Sequence, residues 1–358
     1  MTKLNPSEKN ILKTSGSVAW QSPSNIALIK YWGKYGIQLP RNPSLSISLE
    51  NAYTQTRISW KYKEKRGISV EYFFEAERLN SFENKVRKHI TNLIPVFSFL
   101  NHFHLKIESH NSFPHSAGIA SSASSMSALA LCLCSMEQEI SDLPQSDKVF
   151  YEKASHIARL GSGSASRSIY GGITVWGKST TIENSSDEYA IPYTHKIHPQ
   201  FQSLQDCILI VSSKEKSVSS SIGHDLMNNH PFAQQRFSQA NTNLNQMVKT
   251  LQQGNWEEFA QITENEALSL HAMMMTAKPG FMLFHPNSIK IIEEINSFRK
   301  QSNIQLCYTL DAGPNIHLIY PETEKEKIRK FVEEHLSAYC ENGKWIADHA
   351  GKGPFKLK

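Results

Sequence analysis

The chain has 358 residues, 39% hydrophobic and 20% charged, a length and balance that suit two packed globular units sharing a cleft. Its formal net charge is +5 with no long basic block, so nucleic-acid binding has no support and a small anionic ligand fits the bias equally well. No apolar run reaches the roughly 18 residues of a membrane span, so none is expected.

At the start, Lys3, Glu8, Lys9 and Lys13 interrupt any apolar stretch, which does not read as a signal peptide and points to a cytoplasmic protein. Residues 17–75 read as strands: Ser44 to Leu49 alternates polar and apolar with period two, as does part of Ile68 to Phe74. From about Ser81 the pattern turns helical, with Phe82, Val86, Ile90 and Leu93 on one face, and Phe103 to Glu108 reads as a strand. A loop then opens a helix from Ser121 to about Met136. A second helix runs from about Ser146 to Leu160, stopped by Gly161. Gly171 to Trp176 returns to a strand. The polar, aperiodic stretch 178–203 marks a boundary, giving units at 1–200 and 201–358.

The second half reads as a strand over Cys207 to Ser212, helices over about 231–252, 255–275 and 287–300, strands over 304–310 and 315–320, and a helix over about 322–338. Trp345 to Lys358 carries no pattern that can be assigned. Strands and helices mixed in both halves predict an α+β fold in two layers rather than a doubly wound parallel sheet. Cys132, Cys134, Cys207, Cys307 and Cys340 have largely apolar flanks and read as buried, reduced thiols. With no CxxC pair, no HExxH and scattered histidines, a zinc site is not expected.

The strongest chemical signal is Pro114-His115-Ser116-Ala117-Gly118-Ile119-Ala120-Ser121-Ser122-Ala123. Small residues at Ala117, Gly118 and Ala120 let backbone approach an anion, and Ser121 and Ser122 open a helix whose free N–H groups favour phosphate. Their hydroxyls can also hold Mg²⁺ through water. Taken alone, the serines (with Ser124 and Ser125) could merely cap a helix. There is no GxxxxGK[ST], so this is not a Walker A loop, and no GxSxG, which weakens a serine hydrolase reading. The stretch resembles the phosphate loop of the GHMP small-molecule kinase superfamily.

Two further clusters stand out. Asn25-Ile26-Ala27-Leu28-Ile29-Lys30-Tyr31-Trp32-Gly33-Lys34 sets two lysines beside an apolar run, a pair that elsewhere lies on a solvated face. Gly161-Ser162-Gly163-Ser164-Ala165-Ser166-Arg167-Ser168 makes a compact donor array able to surround a diphosphate, although its composition also suits a linker. With Leu310-Asp311-Ala312-Gly313-Pro314-Asn315, these segments resemble the signatures of the diphosphomevalonate decarboxylases, in order and spacing, over about residues 17 to 338.

That resemblance implies an N-terminal lobe like ribosomal protein S5 domain 2, a ferredoxin-like C-terminal lobe, and an active site between them. It implies Mg-ATP-dependent phosphorylation of the 3-hydroxyl of 5-diphosphomevalonate, followed by loss of phosphate and CO₂ to give isopentenyl diphosphate. ATP, Mg²⁺ and the substrate are the implied ligands, and a homodimer the implied assembly.

By the same resemblance Asp311, Lys30, Arg167 and Asn25 form the catalytic set. Asp311 serves as base or orienting charge, Lys30 stands beside it, and Arg167 and Asn25 hold the substrate carboxylate and hydroxyl. Tyr31, Lys34, Ser162, Gly163 and Ser164 fall to the diphosphate. Pro114, Ala117, Gly118, Ala120, Ser121, Ser122 and Ser220 fall to the nucleotide, with Ser122 reaching the metal through water.

Departures from the pattern are His115 and Ser116 in the loop and Ser221 where some bacterial members carry Arg. The segment 161–172 holds no Asp. His224 and Asp225 are expected on a helix surface rather than in the cleft. Turnover of 5-phosphomevalonate, simple 3-kinase action, or a non-catalytic nucleotide-binding role on the same fold are the alternatives.

Overall fold

Two long strands set the frame of this computed structural model, which describes residues 13–113, 121–141, 145–214 and 218–358. β1 (Ser15–Ile29) leads through a small hairpin, β2 (Lys34–Tyr35) and β3 (Leu39–Pro40), into β4 (Ser44–Tyr62). β1 and β4 pair antiparallel from Ser15↔Lys61 to Ile29↔Leu45, with register breaks between Pro23 and Asn25 and between Ala27 and Ile29. Such irregularities bend a strand, and here they let one pair of strands serve two cores. Val18, Trp20, Ile58 and Trp60 belong to the first core, whereas Ile26, Leu28, Leu45 and Ile47 belong to the second.

β5 (Ser69–Phe74), β6 (Glu77–Arg78), α1 (Asn80–Asn92) and β7 (Phe103–Asn111) follow. The next helices are α2 (Ser121–Ser141) and α3 (Asp147–Gly161), then the short strands β8 (Ile173–Trp176) and β9 (Ile191–Pro192). The sheet path is β1–β4–β7–β5–β6, with β8 also on β4 and β9 on β8; β5 and β7 are parallel. α2 is buried nearly all round, as a helix of Ala, Leu, Cys and small hydroxyl residues must be. Ser22 bonds Ser127 at 2.5 Å and Thr54 bonds Ser124 at 2.6 Å, fastening the helix to the sheet.

The second sheet runs from β10 (Leu204–Leu209). Beyond it come α4 (Ser220–Leu226), α5 (Ala233–Gln253), α6 (Trp256–Thr276) and α7 (Pro286–Ser302), then β11 (Cys307–Thr309), β12 (Ile316–Pro321), α8 (Lys325–Phe331), β13 (Trp345–His349) and β14 (Phe355–Leu357). Its order is β11–β12–β10–β13, all antiparallel. Stacked behind it, α7 and α8 bury Ile291, Ile295, Ile328 and Phe331. α5 and α6 face the other way, their Leu244, Met247, Leu251 and Phe259 joining Ile26, Ile47 and Ile208 in the second core.

The stretch 178–203 is aperiodic yet not loosely held: Ile182, Ala190, Tyr193 and Phe201 are buried. The expected helix over 322–338 is broken, with α8 flanked by 3-10 turns and continued by a π-helical turn at Val332–Leu336. The unassigned tail supplies β13 to the second sheet and β14 to the first, where Ala19, Trp20 and Gln21 pair with Leu357, Lys356 and Phe355. Asp348 on β13 accepts from the backbone N–H groups of Glu50, Asn51 and Ala52 at 2.8–2.9 Å, clamping the sheets together. All five cysteines are free and buried.

Candidate active site

Lys30 leaves the buried end of β1 and is 1% exposed. Its backbone N–H donates to Glu266 Oε2 at 2.8 Å, and its carbonyl accepts from Asn42 Nδ2 at 2.9 Å. Glu266, fully buried on α6, also accepts from Arg236 and from Asn243, so its charge is fixed and compensated. Five residues along the same helix, His271 Nε2 donates to the Asp311 carbonyl at 3.1 Å. α6 therefore grips both backbones whose side chains meet: Lys30 Nζ and Asp311 Oδ1 are 2.8 Å apart.

Asp311 sits just past β11 in a turn closed by Gly313 N–H on its own carbonyl at 2.7 Å. Asn315 braces that turn by exchanging two 3.0 Å bonds with the Ser212 backbone. Burial raises the carboxyl pKa, but the Lys30 charge and hydrogen bond, with His317 and Arg167 behind them, outweigh it and hold Asp311 below the carboxylate range. For Lys30 burial dominates and lowers the ammonium pKa, against the pull of Asp311 and Glu266.

Arg167, 3% exposed, lies within the 3-10 segment Gly163–Ile169 that follows α3. Nε donates to Ser46 Oγ at 3.0 Å and Asn25 Oδ1 at 3.3 Å, and Nη1 to Ser44 Oγ at 2.7 Å. The serine face of β4, read from its alternation, is thus the seat of this guanidinium. Nη2 has no partner among the described residues, and Arg167 lines the cleft. Burial lowers its pKa, Asp311 opposing, and it stays a cation at neutral pH. Asn25 stands one layer back, donating to Ser168 Oγ at 2.7 Å and the Ser164 carbonyl at 3.2 Å.

Gly33 has φ +93°, a conformation costly for other residues, and its N–H donates to His224 Nδ1 at 2.9 Å. The His224 ring lies against Tyr31 and Trp32, with centroids 4.2 and 4.5 Å away. The expectation of a surface residue is overturned for His224: the ring is buried, and desolvation, reinforced by Lys34 and Arg167, pushes its pKa down to about 3. Asp225 alone faces outward, 3.7 Å from Lys34 Nζ. At Gly163 an added Cβ would come within 2.8 Å of the Trp176 ring and 2.9 Å of Tyr31, so glycine lets the serine turn close.

One cleft of about 480 Å³ joins these groups. Lys30, Tyr31, Lys34, Ser162, Gly163, Ser164, Arg167, Ser220, His224 and Asp311 all line it. Ser121 and Ser122 close one end, with Ser122 Oγ 3.3 Å from Ser162 Oγ. Both serines also border a second cavity of about 630 Å³, lined by Tyr72, Phe74, Phe82, Ile107, Met126 and Leu129. Pro114, Ala117, Gly118 and Ala120, with His115 and Ser116, lie outside the described residues.

A family profile for the diphosphomevalonate decarboxylase-like N-terminal domain matches residues 22–190, and one for the mevalonate 5-diphosphate decarboxylase C-terminal domain matches 207–354. The chain belongs to the diphosphomevalonate decarboxylase family. The diphosphomevalonate decarboxylase of Saccharomyces cerevisiae is 30% identical over 332 residues, covering 87% of this chain and 79% of that one. The solved mevalonate diphosphate decarboxylase of Staphylococcus aureus superposes with a TM-score of 0.81 at 27% identity, over 97% and 100% of the two chains. A complex of MDDEF with MVAPP, AMPPCP and magnesium gives 0.81 and 27% over 96% and 99%. The fold is the two-lobed α+β arrangement of the GHMP superfamily.

Within this decarboxylase fold, the aromatic cavity, His224, Glu266 and His271 were not singled out as site residues from sequence. Tyr72, Phe74 and Phe82 carried strand and helix periodicity, which signals core and hides a cavity. Among the described residues no group of three or more His, Cys, Asp or Glu side chains is placed to hold a metal ion, and no helix is long and apolar enough to cross a membrane.

Proposed function

We propose that the chain converts 5-diphosphomevalonate and ATP to isopentenyl diphosphate, ADP, phosphate and CO₂, through phosphorylation of the 3-hydroxyl. The observation that carries the reading is the Lys30–Asp311 pair beside Arg167 in a cleft that meets an aromatic cavity at Ser121 and Ser122. A nucleotide base suits the aromatic cavity, and its polyphosphate suits the serine junction, which aims the terminal phosphoryl group toward Asp311. ATP would supply that phosphoryl group, and Mg²⁺, which Ser122 would hold through water, would offset the charge of its phosphates.

Asp311, held ionised, accepts or orients the proton of the tertiary hydroxyl. Lys30 keeps the carboxylate charged and balances negative charge on the group in transfer. Arg167 presents Nη2 to the substrate carboxylate, its other nitrogens immobilised by Ser44, Ser46 and Asn25; Asn25 acts by positioning it. Tyr31, Lys34, Ser162 and Ser164 take the diphosphate, and Ser220 faces the transferring phosphoryl group. The leaving 3-phosphate takes the C–O electron pair while the bond to the carboxylate becomes the new double bond, so no electron-sink cofactor is required.

The test compares mevalonate, its 5-phosphate and its 5-diphosphate with coupled ADP and CO₂ detection. Equal amounts of ADP, phosphate and CO₂ from the diphosphate are expected. ADP without CO₂, or preference for the monophosphate, would sink the reading and favour the kinase or phosphomevalonate alternative.

A further inference from the structure

His224 is a polar group buried in the cleft wall that the chemistry above leaves without a task. Its Nδ1 accepts the Gly33 N–H, and with the ring's pKa pushed down to about 3 the imidazole is neutral at working pH. A neutral imidazole that accepts at Nδ1 carries its proton on Nε2. That N–H has no partner among the described residues, and it is not enclosed: His224 lines the cleft. Tyr31 and Trp32 both pack against the ring, so it cannot swing to another rotamer without losing these contacts.

Lys34 and Arg167 both act on the ring as cations, and although Asp225, turned outward, lies 3.7 Å from Lys34 Nζ, the cleft side of this end favours an anionic acceptor. Since His224 touches Tyr31 and the Gly33 backbone, it stands at the Tyr31–Lys34 end of the cleft.

We infer that His224 is a specificity-determining residue whose fixed Nε2–H donates to a phosphoryl oxygen of the substrate's diphosphate. The inference rests on the function proposed above. It gives the cleft a neutral donor beside Lys34, one that selects for the second phosphate rather than for charge alone.

Two measurements on the full chain test it. The first follows imidazole ¹⁵N signals of ¹⁵N-histidine-labelled protein during titration with inorganic pyrophosphate and with inorganic phosphate. An Nε2–H signal that is absent from His224→Phe and moves with pyrophosphate alone is expected; an Nδ1–H tautomer, or no movement, overturns the assignment. The second compares kcat/KM for the 5-diphosphate and 5-monophosphate substrates in His224→Phe and His224→Gln. A hydrogen bond to a charged oxygen predicts a roughly tenfold or greater loss for the diphosphate in His224→Phe, carried by KM, with little change for the monophosphate. His224→Gln, which keeps a donor, recovers part of it.

Equal losses for both substrates would mean that the ring only braces Gly33, and would overturn the assignment. If the wild-type protein turns over neither substrate, the function fails, and the pyrophosphate titration still decides His224.

Discussion

The two cavities that meet at Ser121 and Ser122 are built on opposite principles. The cleft is walled by polar groups each anchored on one side and left open on the other: Arg167 by Ser44, Ser46 and Asn25, Lys30 by Asp311, His224 by Gly33. The aromatic cavity offers ring faces and a thioether from β5, α1 and α2, with Thr56, Lys85, Ser109 and Asn111 set among them. Orientation is therefore imposed at the reacting end, while the other end supplies area. Ligand binding and chemistry should separate under mutation.

Asp311→Ala gives the largest separation. Turnover should fall roughly 10²- to 10⁴-fold, the scale of a lost general base, while nucleotide affinity by equilibrium titration stays near wild type. Near-normal turnover would remove Asp311 from the chemistry.

Arg167→Lys comes next. An ammonium cannot bond Ser44, Ser46 and Asn25 and still offer a nitrogen to a carboxylate, so kcat/KM should drop roughly 10- to 100-fold. A drop of less than about threefold would show that the fork geometry is dispensable.

In the other cavity, Phe82→Ala should raise the nucleotide Kd about three- to tenfold, as expected from losing one aromatic contact, with kcat at saturation little changed. A collapse in kcat with unaltered Kd would break the division between the cavities.

The smallest effects concern pH. His224 in the cleft and His89 behind Gly161 are both pushed down by burial, to about 3 and about 4 against an ordinary 6.5. Below pH 6.5 the unfolded chain binds protons that the folded chain refuses. Each histidine then removes up to about 1.4 kcal/mol of stability per pH unit until its folded pKa is reached. The urea midpoint should fall between pH 7 and pH 5, and His89→Gln should lessen the fall; an unchanged midpoint would show that both rings take up protons as readily in the folded chain as in the unfolded one.

Much of this was legible in the residues. Period-two and helical patterning located β7, α1 and α3 within a few residues, and the start of β4 but not its end at Tyr62, because each buries a face whose spacing is local. α2 runs further than predicted, to Ser141, because it is buried on nearly every side and shows no contrast between faces. Lys30 and Asp311 are 281 positions apart, and nothing local announces that they touch; the motif resemblance alone brought them together. His224 was misjudged because a seven-residue helix has too few turns for its buried side to be read. Glu266 looked like any acidic residue on an exposed helix. Its burial depends on Arg236 and Asn243 of α5 and on the Lys30 amide at the end of β1, two elements outside its own helix.

The pairing of β14 with β1 bears on how the protein emerges during synthesis. The strand begun at Ser15 keeps one edge open at Ala19 to Gln21 until residues 355–357 have cleared the ribosome. For almost the whole of translation that edge is a template for any passing extended segment. A nascent chain stalled before residue 355 should therefore engage chaperones and form intermolecular β-structure, even where its first core has already condensed.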